Sequence, residues 1–201
     1  MLFGVQWYYW VILLIAIIIA IFAWIKALKS GKERRERLKK EAAIWKRDYE
    51  LREKFTILTE EKLNSTEETE LLHGVAMNIQ VMLEKSTDMT ESFKALPLEK
   101  KHIYALEYFD EDAKKGLSTF FKNNGEPLIS VVPDALNAIG AGKYVEAYGA
   151  LLPMYDPDSE VSIDYSVIGK VDEEFSSLYN SDELLRLSAK YILKNKDIFL
   201  S

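Results

Sequence analysis

The chain has 201 residues, 26 Lys or Arg against 32 Asp or Glu, a formal net charge of −6 and no cysteine. Without cysteine, disulfides, thiolate catalysis and cysteine-ligated zinc are excluded. The charge is uneven: residues 26–62 hold 13 basic and 8 acidic side chains, whereas 63–201 hold 13 basic and 24 acidic, so a basic collar precedes an acidic region.

The first 25 residues, Met1 to Ile25, carry no charged side chain, and Val5 to Ile25 is almost wholly apolar. At about 1.5 Å per residue a helix over 5–25 spans about 31 Å, one hydrocarbon core. Trp7, Tyr8, Tyr9 and Trp10 at one end and Trp24 at the other suit the two interfacial belts. Residues 1–25 are therefore expected to form a single-pass transmembrane anchor in contact with the bilayer. Between Lys26 and Lys40 stand eight basic residues against Glu33 and Glu36, which places the amino terminus outside and the carboxy-terminal part in the cytoplasm. A cleaved signal peptide would carry its charge before a shorter apolar stretch.

Residues 26–62 read as a basic juxtamembrane stalk. From Lys32 to Lys62 there is no Pro or Gly, and the Glu, Lys, Arg, Leu and Ala content predicts a helix continuing from the anchor. Leu38, Ala42, Trp45 and Tyr49 fall at alternating four- and three-residue steps, a short coiled-coil seam. Two readings stand: the seam joins two copies as a homodimer, or the stalk is solvated and alone.

Residues 63–201 read as an acidic, all-α globular domain. Ser65 with Glu68 three residues on forms a capping box, opening a helix through Leu71, Leu72, Val75, Ala76, Ile79, Met82 and Leu83. Leu98–Phe109 is a second amphipathic stretch after Pro97, and Leu117–Phe121 an apolar cluster stopped by Asn123-Asn124-Gly125. Pro133 is expected in the first turn of a helix ending near Gly140, and Lys143–Leu152 to form another that ends before Pro153. Asp156-Pro157-Asp158 is a turn. Tyr165–Tyr179 and Asp182–Ile198 complete the set, the last capped by Ser181. No hairpin signal, internal repeat or low-complexity tract is present.

Enzyme and cofactor signatures fail on spacing. Gly140-Ala141-Gly142-Lys143 begins like a phosphate loop, but Tyr144 replaces the magnesium-binding hydroxyl and Asn137 the first glycine. Asp156, Asp158 and Glu160 begin like a calcium loop, but Val161 replaces the glycine and Val167 the bidentate Glu. His73 and His102 lack a metal-binding partner pattern. Asn64-Ser65-Thr66 is a glycosylation sequon, which a cytoplasmic domain does not present to the transferase. Glu107, Asp110, Glu111 and Asp112 read as a solvated acidic patch rather than paired catalytic carboxylates. No catalytic residue, cofactor or metal is expected.

Two stretches carry a family resemblance. Gly116-Leu117-Ser118-Thr119-Phe120-Phe121-Lys122-Asn123-Asn124-Gly125, followed by Ala135-Leu136-Asn137-Ala138-Ile139-Gly140-Ala141, resembles the core of the DNA-mimic protein 19 family, a bacterial group, over about residues 68–200. Lys115 stands where the family pattern has the first of two glycines, and Leu117 where it has an aromatic residue. Gly116, Phe120, Phe121, Asn123, Gly125, Ala135, Leu136, Ile139 and Gly140 are read as structural: large aromatics bury, and Asn and Gly end helices with positive φ. The resemblance implies a binding role, in which carboxylates spaced like phosphates on a dimer occupy a DNA-binding protein.

The expected function is thus capture of a basic protein partner by a membrane-tethered, non-enzymatic acidic domain, without direct nucleic-acid binding. The partner-binding candidates are Glu107, Asp110, Glu111, Asp112, Asp172, Glu173 and Glu174; a negative surface steers a cationic partner and repels nucleic acid. The alternatives are an immunity- or antitoxin-type protein that neutralises a toxin, and an enzyme with an unrecognised carboxylate site in a cleft gathering Glu107, Asp110, Glu111 or His102.

Overall fold

The computed structural model describes residues 7–156 and 159–200, and for 7–10 and 15–33 it describes the backbone alone. The described chain is helical, with no strand. It divides into two compact units, Met1–Tyr49 and Glu50–Ser201.

The described part of the first unit belongs to one long helix, α1 (Trp7–Lys54). Among the described residues no helix is long and apolar enough to cross a membrane. The side chains on which the expected anchor chiefly rests, those of 1–10 and 15–25, lie outside them. Further along α1, Leu38 (54% exposed), Trp45 (76%) and Tyr49 (62%) of the seam are open to solvent.

The second unit is an all-α domain built on α3 (Glu68–Glu84) and α5 (Leu98–Ala113). Both pack against α10 (Ser181–Lys194), and α5 also packs against α7 (Leu128–Ala138) and α6 (Leu117–Asn123). A second layer joins α6 to α8 (Val145–Tyr155) and α9 (Tyr165–Leu178). Short helices α2 (Glu60–Ser65), α4 (Met89–Ala95) and α11 (Lys196–Phe199) fill the edges. α5 is central because it is apolar on most sides: Ile103, Ala105, Leu106 and Phe109 are fully buried. Phe109 meets Phe120, Phe175 and Tyr179 edge-on at centroid distances of 5.6, 6.1 and 6.2 Å, each pair contributing about 0.5–1.5 kcal/mol beyond burial.

The stalk helix, expected to run to Lys62, stops at Lys54. The run Phe55–Thr59 breaks it: Thr56 Oγ1 donates to Arg52 O at 2.6 Å, and Thr59 Oγ1 caps α2 by accepting from Lys62 N at 3.2 Å. Phe55 and Leu58, at 0% and 1% exposure, belong to the core. Phe55 also explains the mid-helix Gly74, where a Cβ would fall 2.3 Å from its ring.

Other helix boundaries differ for identifiable reasons. Ser65 ends α2 rather than capping α3, whose cap position is Glu67 with no side-chain bond. Asn180, not Ser181, caps α10, its side chain accepting from Glu183 N at 3.1 Å. The last helix is broken at Asn195, and α4, capped by Asp88, has no counterpart in the sequence reading. α8 runs through Pro153 to Tyr155. Pro133 lies inside α7, not in its first turn. A proline there has no N–H for the carbonyl four residues back, and that carbonyl, Ile129 O, instead accepts from the buried Tyr148 hydroxyl at 2.8 Å.

Candidate functional site

The sequence presents the acidic residues as one solvated surface, and the structure separates them. Glu111 on α5 and Glu173 and Glu174 on α9 are exposed. Glu107, Asp110, Asp112 and Asp172 face inward, and each holds two elements together.

Asp110 is 0% exposed. Its Oδ1 accepts from Tyr179 Oη at 2.5 Å and from Ser181 Oγ at 2.7 Å, fastening the α9–α10 junction to α5. Oδ2 lies 2.5 Å from Lys114 Nζ but forms no aligned hydrogen bond there, so its compensation is chiefly coulombic. Burial, then the neighbouring Asp110 charge, pushes the Tyr179 phenol well above its ordinary range, so it stays the donor. Asp112, 8% exposed, accepts from Asn123 Nδ2 at 2.9 Å and Asn124 Nδ2 at 3.0 Å, with Lys115 Nζ at 3.3 Å. A carboxylate only accepts, so it turns both amide NH₂ groups toward itself and ties the end of α6 to α5.

Asp172 reaches from α9 to the start of α6. Its Oδ1 accepts from Ser118 N at 2.8 Å and its Oδ2 from Ser118 Oγ at 2.6 Å, so it caps α6 from another helix. Gly116 makes this approach feasible: its φ is +118°, and a Cβ would fall 3.3 Å from the Asp172 carboxyl. Glu107, half-buried, meets His73 Nδ1 at 2.6 Å and links α5 to α3. His102 lies elsewhere, with Nδ1 3.0 Å from Tyr191 Oη and its ring against that tyrosine. The four groups named for a carboxylate cleft are thus dispersed: Glu107 bonds His73, Asp110 the α9–α10 junction, His102 Tyr191, and Glu111 stands at the surface. Among the described residues no group of His, Asp and Glu is placed to hold a metal ion.

The family-motif residues occupy structural positions. Phe120 and Phe121 are buried at 0% and 4%, and Phe121 stacks on Tyr155 at 5.0 Å. Ala135 and Leu136 are fully buried and Ile139 nearly so. Gly140 has φ +84° and ends α7 as expected. Asn123, Asn124 and Gly125 stop α6 differently: Asn124 is extended, with φ −121°, and Gly125 is not among the glycines with positive φ. Asn123 and Asn124 act instead through side-chain bonds to Asp112.

Sequence reading missed Ser118, Tyr179 and Ser181 as partners of the acids. Ser118 had a signal, its fixed place between the glycine and the two phenylalanines. Tyr179 and Ser181 had none, because they join Asp110 across 69 and 71 residues.

No curated protein matches the chain, and no solved structure does. The family model described as DMP19-like protein matches residues 94–195, the stretch that contains Asp110, Asp112, the Gly116–Ala141 motif and Asp172. With half of its length matched, the chain belongs to the DMP19-like protein family.

Proposed function

We propose that this protein is a membrane-anchored, non-enzymatic binding module whose acidic helical domain captures a basic protein partner on the cytoplasmic side. The observation that carries the reading is the excess of 11 acids over bases in residues 63–201, with Glu111, Glu173 and Glu174 presented at the surface. A field of that sign favours a cationic protein and disfavours nucleic acid itself. The family's DNA-mimic members make a DNA-binding protein the natural class of partner. Contact belongs to the exposed acids; Asp110, Asp112, Asp172 and Glu107 act behind them by holding the helices in place.

The anchor is supported by the uncharged run Met1–Ile25 and the eight basic residues between Lys26 and Lys40. Val11, Ile12, Leu13 and Leu14 stand exposed at 46–60% on α1, as lipid-facing residues would. The cysteine-free chain allows a clean topology test. A single Ser201→Cys should react with a membrane-impermeant maleimide only after permeabilisation of the cells. Labelling of intact cells would reverse the orientation.

Partner capture is tested by affinity purification from native membranes with the full-length chain as bait. A second bait carries Glu173→Lys and Glu174→Lys. A basic protein recovered with the first and lost with the second supports the reading. Recovery unaffected by the reversal removes the α9 surface from it.

A further inference from the structure

A cleft of about 290 Å³ is bounded by the end of α3, by α4, by Tyr104 of α5, and by the segment joining α6 to α7. Small-molecule sites run from about 300 to 1,000 Å³, so this one, at the lower end of that range, has room for a single long side chain. Leu83, Met89, Phe93 and Leu128 supply its apolar part; Asn123, Asn124, Glu126 and the hydroxyls of Thr90 and Tyr104 supply its polar rim.

The chemistry of that rim follows from contacts already described. Asn123 and Asn124 commit their Nδ2 groups to Asp112, and Asn124 Nδ2 also donates to Phe120 O at 2.9 Å. Asn124 thus spends both N–H groups and keeps its carbonyl oxygen, whereas Asn123 keeps its carbonyl oxygen and one N–H. Glu126 Oε2 accepts from Ser130 Oγ at 2.5 Å, which orients the carboxylate and leaves Oε1. Neighbouring cations are engaged elsewhere: Lys122 Nζ donates to Ser118 Oγ, Lys94 pairs with Glu91, and Lys115 pairs with Asp112. The side-chain rim thus combines two amide oxygens, one carboxylate, the Thr90 hydroxyl and one Asn123 N–H beside an apolar wall, with the Tyr104 hydroxyl already bonded to Tyr108.

We infer that this cleft receives an arginine side chain from the basic partner. The aliphatic stem lies along Leu83, Phe93 and Leu128, and the guanidinium donates to Glu126 and the two asparagine oxygens. Several acceptors on one rim suit the five N–H groups of a guanidinium, which is also more weakly hydrated than an ammonium and less costly to draw from water. The inference rests on the proposed capture of a basic protein and assigns one of its contacts to the family motif: Asp112 aims Asn123 and Asn124, and they meet the ligand.

The test uses the full-length chain in a neutral detergent at low salt, with fluorescein-labelled hexa-arginine, hexa-lysine and hexa-citrulline peptides read by polarisation. Citrulline keeps the length and shape of arginine without its charge. Two variants alter the cleft: Glu126→Gln removes its charge, and Met89→Arg, at a half-exposed position, fills it with a competing side chain. Glu173→Lys with Glu174→Lys alters charge outside it. Circular dichroism checks that each variant is folded. Hexa-arginine should bind best and hexa-citrulline not at all. Each cleft variant should weaken hexa-arginine binding about tenfold, as loss of a charged partner does, and the α9 reversal by about twofold or less through its longer-range field.

Equal binding of hexa-citrulline, or unchanged binding to both cleft variants, overturns the inference. If hexa-arginine binds and only the α9 reversal weakens it, capture of basic surfaces stands and the cleft falls. If the wild-type chain binds no cationic peptide, both readings fall together.

Discussion

Asp172→Ala separates the two roles an acidic residue can have in this domain. The substitution leaves Ser118 N and Ser118 Oγ, at 2.8 and 2.6 Å in the intact protein, without their acceptor. Ser118 is only 3% exposed, so water does not readily replace the carboxylate. An orphaned buried donor costs about 1–3 kcal/mol, and loss of a negative charge from the start of α6 adds about 0.3–1 kcal/mol. The contributions overlap, since both act at one helix terminus, and the expected loss is about 2–3 kcal/mol. With a slope of about 1–3 kcal/mol per molar urea, the unfolding midpoint should fall by about 1 M. The assay is urea unfolding of the full-length chain in neutral detergent, followed by circular dichroism. Glu173→Ala, one residue on and exposed, should change stability by less than about 0.5 kcal/mol. In a double-mutant cycle with Ser118→Ala, Asp172 should show a coupling of about 1 kcal/mol or more. A loss below about 0.5 kcal/mol for Asp172→Ala, or one matched by Glu173→Ala, would refute the interhelical cap.

Gly116→Ala should cost about 2–3 kcal/mol in the same titration, because a side chain at φ +118° is strained and its Cβ would press on Asp172. Tyr148→Phe should cost about 1–2 kcal/mol by orphaning Ile129 O; in a Pro133→Ala background the loss should shrink, since alanine at that position brings back the helical N–H, and equal losses in both backgrounds would contradict that account. Asp110→Ala should destabilise by about 3 kcal/mol, through the loss of the bonds from Tyr179 and Ser181, whereas Glu111→Ala beside it should stay within about 0.5 kcal/mol. Burial holds the folded His102 below its ordinary value near 6.5, with the carboxylates of Asp134 and Glu99 opposing the shift. The unfolded chain therefore takes up the proton first as pH falls. The contribution of His102 to stability is fully present above about pH 6.5 and declines as pH drops toward its folded value. Urea midpoints at pH 7.5 and 5.5 should lie closer together in His102→Gln than in the wild type.

Helical periodicity made most of the domain legible. The apolar positions of α3, α5 and α10 repeat at three- and four-residue steps, and Leu71, Leu72, Val75, Ile79, Ile103, Leu106, Leu184 and Ile192 are buried accordingly. The misplaced boundaries share a cause. Local rules assume that a backbone group is satisfied nearby, and here several are satisfied from a distance. Pro133 reads as a first-turn residue until Tyr148, 15 positions later, supplies the missing donor for its helix. Asn123-Asn124-Gly125 reads as a positive-φ stop until Asp112 binds both amides. The acidic candidates misled for the same reason. At the level of sequence Asp110, Glu111 and Asp112 are equivalent, but successive residues on a helix point about 100° apart, and only the middle one faces solvent.

That division changes what the domain's charge can do. A carboxylate held inside the fold still contributes to the field that a distant partner meets, because the excess of 11 acids does not depend on which of them are exposed. Beyond about 8 Å of salt solution the field fades, and at contact only exposed groups can form bonds. On the proposed capture of a basic partner, steering and recognition would therefore be carried by different subsets of the same acids. On that proposal, reversing Glu173 and Glu174 would remove contacts and field together, whereas neutralising Asp110 or Asp172 would weaken the field only slightly and loosen the scaffold. A capture defect in an Asp172 variant would thus report on folding until stability had been measured, and the same defect in a stable Glu173/Glu174 variant would report on the surface.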